Sequence, residues 1–263
     1  MLFNKLIVTF VIFFWWSSLS ANDDLSRYLE NSQKLAALVA EAAQKHDTDL
    51  LHNNTMNALV EALSDEKRFL QTKTYSKDNL GDLIQICSLS NQAVMSLVLF
   101  DLKSHIDPKA DREKATTQTI SLMQSNIRSF TNQLLYLQPF TIRCMAKQSK
   151  PMSDFVSSLT TEQMTPVRIQ GLRKAQRGTA QLIIGGLQSS ADATYDEAYR
   201  LAMAKALAES ASELVSILPL KMRASIQSIT SEHSKSIPAT IKDYMNSLSE
   251  ALDDRTCDGL CAI

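Results

Sequence analysis

"GLRKAQRGTAQLIIGG", residues 171–186, places glycines at 171, 178 and 185, seven residues apart, in a chain that holds six glycines altogether. Neither G-x-G-x-x-G nor a Walker loop is present, and no strand pattern precedes the segment, so a phosphate cradle does not fit. Arg168, Arg173, Lys174 and Arg177 fall in the same segment, which argues against a glycine zipper buried in lipid. Helix packing remains. Gly171, Ala175, Gly178, Leu182 and Gly185 fall in one stripe, and Leu201, Ala204, Ala208, Ala211 and Val215 form another on the segment that follows. An antiparallel hairpin turning near residue 191 sets Gly178 opposite Ala204 and Gly171 opposite Ala211. A helix-interior glycine costs about 0.8–1 kcal/mol relative to alanine. A close approach of two helix axes, toward the short end of the usual range of about 8–10 Å, is the expected compensation. The expected packing seam is therefore Gly171, Gly178 and Gly185 against Ala204, Ala208 and Ala211.

Outward from this hairpin the same periodicity continues. Glycine and proline number only six each, and apolar residues recur at intervals of three and four. The pattern predicts an all-α protein, an elongated or two-part antiparallel helical bundle with disulfide staples. Helices are expected from residue 23 to His46, from Asp49 to Gln71, from Leu80 to Ile106, and from Pro108, capped by Asp107, to a break at Pro139. Residues 149–165 read as a connection with little helix. Thr165-Pro166 opens the glycine helix in cap-then-proline order, Pro219 breaks the long alanine-rich helix, and Pro238 starts the last one. The expected organisation is a signal peptide over 1–21, an amino-terminal bundle over 22–150, a linker over 151–165, and a carboxyl-terminal hairpin with a terminal helix over 166–263.

The first residues point to export. Lys5 precedes an apolar run from Leu6 to Trp16 of about 11 residues, followed by small residues ending near Ala21. That is the layout of a secretory signal, and the run is shorter than the roughly 20 residues of a permanent span. The expected location is periplasmic or secreted. A retained amino-terminal anchor is the alternative.

In an oxidising compartment four cysteines invite disulfides, with three possible connectivities. Cys257 with Cys261 and Cys87 with Cys144 is the favoured set. Asp258-Gly259 supplies turn chemistry between the first pair, and C-x3-C lacks the spacing of a thioredoxin-like motif. Straight helices on either side of a turn near residues 105–112 would hold Cys87 and Cys144 roughly 20 Å apart. Their pairing therefore requires a chain reversal, which the reading assigns to Pro139.

Chemistry is sparse. The best histidine cluster, His46, Asp47, Asp49 and His52, reads as a solvated helix junction, so no metal and no cofactor is assigned. Ser64 and Lys67 have S-x-x-K spacing but lack the S-D-N and K-T-G partners, and no G-x-S-x-G elbow occurs. With 27 basic and 28 acidic residues, the charge balance gives no nucleic-acid signature. Arg168, Arg173, Lys174 and Arg177 form a basic face suited to an anionic partner. The expectation is a non-enzymatic binding or scaffold protein of the cell envelope that meets a protein partner through helix faces. The alternatives are engagement of a lipid or membrane surface through the basic face, and a hydrolase assembled from distant residues.

Overall fold

A computed structural model describes residues 3–65, 69, 75–105, 107, 109–235 and 237–263, and side chains from residue 24 onward except those of 51 and 103. The expected signal peptide accordingly lies outside the described residues at 1 and 2, and for residues 3–21 only helical backbone is described. Among the described residues the protein is all-α, without strands. No helix among them is long and apolar enough to cross a membrane.

Helix α1 (Phe3–Lys45) buries Leu25, Tyr28, Leu35, Val39 and Ala42 along one stripe. It ends at His46, whose positive φ of 55° lets Asp47 N–H reach back to Ala42 O at 3.0 Å and cap the last turn. A 3-10 turn over Thr48–His52 leads into α2 (Asn54–Ser64), which Asn53 opens by accepting from Met56 N–H. Helix α3 (Leu80–Val98) buries one face from Leu80 to Val98 and leaves the other exposed, and a short α4 (Leu102–His105) follows it. Ser32 meets Ser90 inside the core and His46 meets Asp101 at the end, so α1 and α3 run in the same direction, while α2 returns along α1 until Asp65 O accepts from the Tyr28 hydroxyl.

The next helix begins later than the proline suggested. Helix α5 (Arg112–Ser129) is capped by Asp111, which accepts from Lys114 N–H, while Pro108 lies outside the described residues. Helix α6 (Thr131–Ser157) then runs unbroken through both Pro139 and Pro151, which corrects two expectations. The chain does not break at Pro139, and residues 151–157 are helix, not linker. Pro139 and Pro151 are themselves buried, the first beside Phe140, Leu137 and Ile142, so packing of α6 in the core offsets the lost N–H donors. The reversal that the cysteines require lies between α3 and the end of α5, because α5 passes into α6 at Phe130 with Phe130 N–H on Asn126 O and Leu134 N–H on Phe130 O. There Asn126 Nδ2 donates to Val98 O and Phe100 O at 3.0 and 2.9 Å, fastening the end of α5 to the end of α3. Helix α6 then runs antiparallel along α3, and Cys87 and Cys144 meet with Cα atoms 5.5 Å apart.

Helices α7 (Pro166–Ala191), α8 (Glu197–Ser216), α9 (Leu220–His233) and α10 (Ala239–Asp253) complete the fold. Thr165, Pro219 and Pro238 stand at the expected boundaries. Helix α8 lies along α6 in the same direction, with Arg143 paired to Glu209 at 2.9 Å and Lys147 to Glu213 at 3.0 Å. The terminal loop returns to the helices and is closed by the Cys257–Cys261 disulfide, with Gly259 in the left-handed region at φ 62°. Both expected disulfides are therefore formed.

The hairpin of α7 and α8 forms, but on another face of α7. A Cβ added at Gly171, Gly178 or Gly185 would meet nothing within 4 Å, and Gly171 and Gly178 are exposed. The buried stripe is Leu172, Gln176, Thr179, Ile183, Gly186 and Ser190, one residue later in the chain. A shift of one residue turns the helix by about 100°, enough to carry the three glycines out of the contact. On the α8 side Ala204 and Ala211 are buried and Ala208 is half-buried, so only the alanine half of the expected seam lies at a helix contact.

Candidate functional site

Helices α2 and α6 diverge enough to leave an open groove of about 1110 Å³. Its α2 wall carries Asn54, Asn57, Glu61 and Asp65, successive positions on one helical face. Asn132, Gln133 and Tyr136 of α6 face them. Opposite stripes anchor the walls: Met56 and Leu63 from α2, and Leu134 and Leu137 from α6, all buried, while buried Val60 reaches the groove lining. The groove is thus set by the amphipathic phase of the two helices and not by a loop.

Across it, Gln133 Nε2 donates to Asn57 Oδ1 at 2.9 Å. Gln133 is 5% exposed and Tyr136 is 54% exposed, so a pinned amide and an open aromatic ring stand on successive turns of α6. At the far end of α2 the Tyr28 hydroxyl donates to the Asp65 main-chain oxygen. Burial, followed by the nearby Asp65 carboxylate, pushes the Tyr28 phenol up to about 12.

The histidine cluster read from sequence is dispersed. His52 lines the groove, whereas His46 joins Asp101, Ser104 and His105 at the end of α1 and α3. Asp47 caps the following turn by accepting from Asp49 N–H. Ser104 donates to the Asp101 carboxylate and also stands 3.3 Å from His46 Nδ1, the nitrogen that Asp101 itself engages. A nucleophile, base and acid in relay need the two ring nitrogens to serve different partners, so this is not a hydrolytic triad. The Ser104 hydroxyl first, with help from the His46 imidazole, holds the Asp101 carboxyl below its ordinary value. No group of three or more His, Cys, Asp or Glu among the described residues is placed to hold a metal ion. Lys67 lies outside the described residues, and Ser64 spends its hydroxyl on Val60 O.

The basic face is exposed at all four positions but only half of it is uncommitted. Arg168 donates to Gln163 O and stands 6.0 Å from the centre of the Phe155 ring. Arg173 donates twice to Ile263 O at 3.2 Å, tying down the terminal loop. Lys174 and Arg177 have no partner among the described residues.

Asn57, Gln133 and Tyr136 were not singled out from sequence. A polar stripe is the ordinary solvated face of a helix, and nothing in either segment announces that two such faces meet. The one local sign is that "TNQLLYLQP", residues 131–139, carries a tyrosine on a polar side. No family model matches the chain, and no curated protein or solved structure matches it.

Proposed function

We propose that this chain is an exported, non-enzymatic helical binding protein of the cell envelope that acts through helix-face contacts with a protein partner. The observation that carries the reading is the groove between α2 and α6, open to solvent, in which the buried Gln133 amide holds the exposed Asn57 amide in place. Sites built on helices keep their geometry better than sites on loops. Two disulfides are consistent with an oxidising compartment, and burial of both Cys87 and Cys144 makes the first a structural bond.

The test is site-specific photo-crosslinking in intact envelopes. A photoreactive residue at Asn132 or Tyr136 is expected to give a discrete protein adduct, and one at exposed Lys242 on α10 to give none. Equal adducts from all three positions, or none from the groove, would sink the reading.

Lys174 and Arg177, exposed and uncommitted, favour a second reading in which the basic face meets an anionic lipid surface. Sedimentation with anionic liposomes, lost on Lys174→Glu with Arg177→Glu, would support it. No sedimentation of the native chain would reject it.

A further inference from the structure

The groove between α2 and α6 has a defined hydrogen-bonding polarity. The bond from Gln133 Nε2 to Asn57 Oδ1 occupies a donor of one amide and the acceptor of the other. Gln133 Oε1 remains as an acceptor and Asn57 Nδ2 as a donor, with no protein partner for either among the described residues. An acceptor beside a donor complements one peptide unit, whose N–H and C=O both require partners when buried. Because Gln133 is itself buried and each amide fixes the other, the pair is oriented before a ligand arrives. That reduces the ordering cost of binding.

Charge narrows the occupant. Glu61 and Asp65 line the groove, and no Lys or Arg among the described residues does. The open ring of Tyr136 lies in the same lining. Carboxylates beside an aromatic face suit a Lys or Arg side chain. Size narrows it further. The groove exceeds the range of about 300–1,000 Å³ typical of small-molecule sites. From Asn54 to Asp65 the α2 wall runs about 16 Å at roughly 1.5 Å per residue. That is room for about five residues of extended chain at roughly 3.3 Å each.

We propose that the groove receives an extended, basic segment of a partner protein, its backbone pairing with Gln133 Oε1 and Asn57 Nδ2 and a Lys or Arg held by Glu61, Asp65 and the Tyr136 ring. The proposal rests on the reading of the chain as a protein-binding protein and specifies what that protein must present.

The test uses the full chain with its disulfides intact, panned against a phage-displayed library of random heptapeptides. Selected peptides are then labelled with fluorescein and measured by anisotropy. Lys or Arg is expected to be enriched. Affinity should fall at least tenfold in Glu61→Gln with Asp65→Asn, and the salt dependence seen with the native chain should shrink in that variant. Asn57→Leu should also weaken binding tenfold while leaving the salt dependence in place. All three substituted positions are exposed, and folding of each variant, including Asn57→Leu, which removes the acceptor of Gln133 Nε2, is checked by circular dichroism. Enrichment of neutral or acidic sequences, no enrichment, or binding unchanged in both variants overturns the proposal. A groove cross-link to a protein without basic enrichment removes this segment chemistry but leaves the binding role standing, and absence of both removes both.

Discussion

The side chain of Leu207 on α8 packs over the bare Cα of Gly186 on α7: a Cβ there would lie 2.8 Å from Leu207 Cδ1 and 3.1 Å from Cγ. Leu207 is fully buried, so it has little space into which to retreat. Nearby, Gln176 Nε2 bridges Ile217 O at 3.2 Å and Leu260 O at 2.8 Å, and Arg200 Nε donates to Ser190 O at 3.0 Å. Among the glycines of α7, Gly186 is therefore the one in close approach to α8, and buried polar bridges add to the contact.

Alanine at two glycines separates this contact from helix propensity. Gly178→Ala and Gly186→Ala gain the same propensity of about 0.8–1 kcal/mol. Only the second meets Leu207, at an overpacking cost of about 1–3 kcal/mol. Urea denaturation is expected to show Gly178→Ala as the more stable of the two by about that overpacking cost. Equal stabilities would remove the close contact from the account.

The disulfides differ in depth and loop size. Cys87 and Cys144 are fully buried and 57 residues apart, whereas Cys257 is half-buried and 4 residues from Cys261. In the loop-entropy account the first contributes about 4 kcal/mol and the second about 2 kcal/mol. Mild reductant followed by alkylation and peptide mapping should label Cys257 and Cys261 first. Intact mass before reduction should show no alkylatable thiol. Earlier labelling of Cys87 would contradict the burial of that bond.

Arg223 is 2% exposed, and its guanidinium donates to the main-chain oxygens of Ser216, Leu218, Asp254 and Thr256. This single fork closes the end of α8 onto the terminal loop. Arg223→Met strips those acceptors of their donor and is expected to destabilise by about 3 kcal/mol. Arg223→Lys should rescue little, since a compact ammonium cannot reproduce the planar fork. Full rescue by lysine in thermal melts would reject the geometric reading.

Two titrations bound the stable pH range. Burial pushes the Tyr28 and Tyr199 phenols up to about 12. A folded value above the unfolded one means that their contribution is complete below about 10 and is lost as pH rises through about 12. Asp101 is shifted down, so its contribution is present above the unfolded carboxylate value and fades as pH falls through the lower folded one. Absorbance titration at the phenolate band should show Tyr28 and Tyr199 titrating late, with Tyr195 also shifted up by burial, and Tyr199→Phe should remove one late titration. Asp101→Asn should blunt the acid limb of a stability profile. Tyrosines that all titrate together in the folded chain would contradict the burial.

The sequence alone determined the helical class, the helix boundaries at Thr165-Pro166, Pro219 and Pro238, and the closing loop at Asp258-Gly259. These are properties of the local chain: three-and-four periodicity, proline geometry and a glycine able to adopt positive φ. It also favoured the two cysteine pairs, turn chemistry supporting one and leaving Cys87 with Cys144 as the other, which then required a chain reversal. The place of that reversal was not local. Pro139 and Pro151 stay helical because the buried side chains around them hold α6 in the core, and the chain reverses instead before Phe130, where Asn126 fastens the end of α5 to α3. Nor was the phase of α7 legible, since its buried stripe includes Gln176 and Thr179, polar residues whose partners come from other segments. The groove is the clearest case. Asn57 and Gln133 lie 76 residues apart, and only the packing of α2 on α6 joins them. Tertiary structure alone decided that two ordinary polar faces form one site, because a side-chain amide acquires its orientation from its partner and not from its neighbours along the chain.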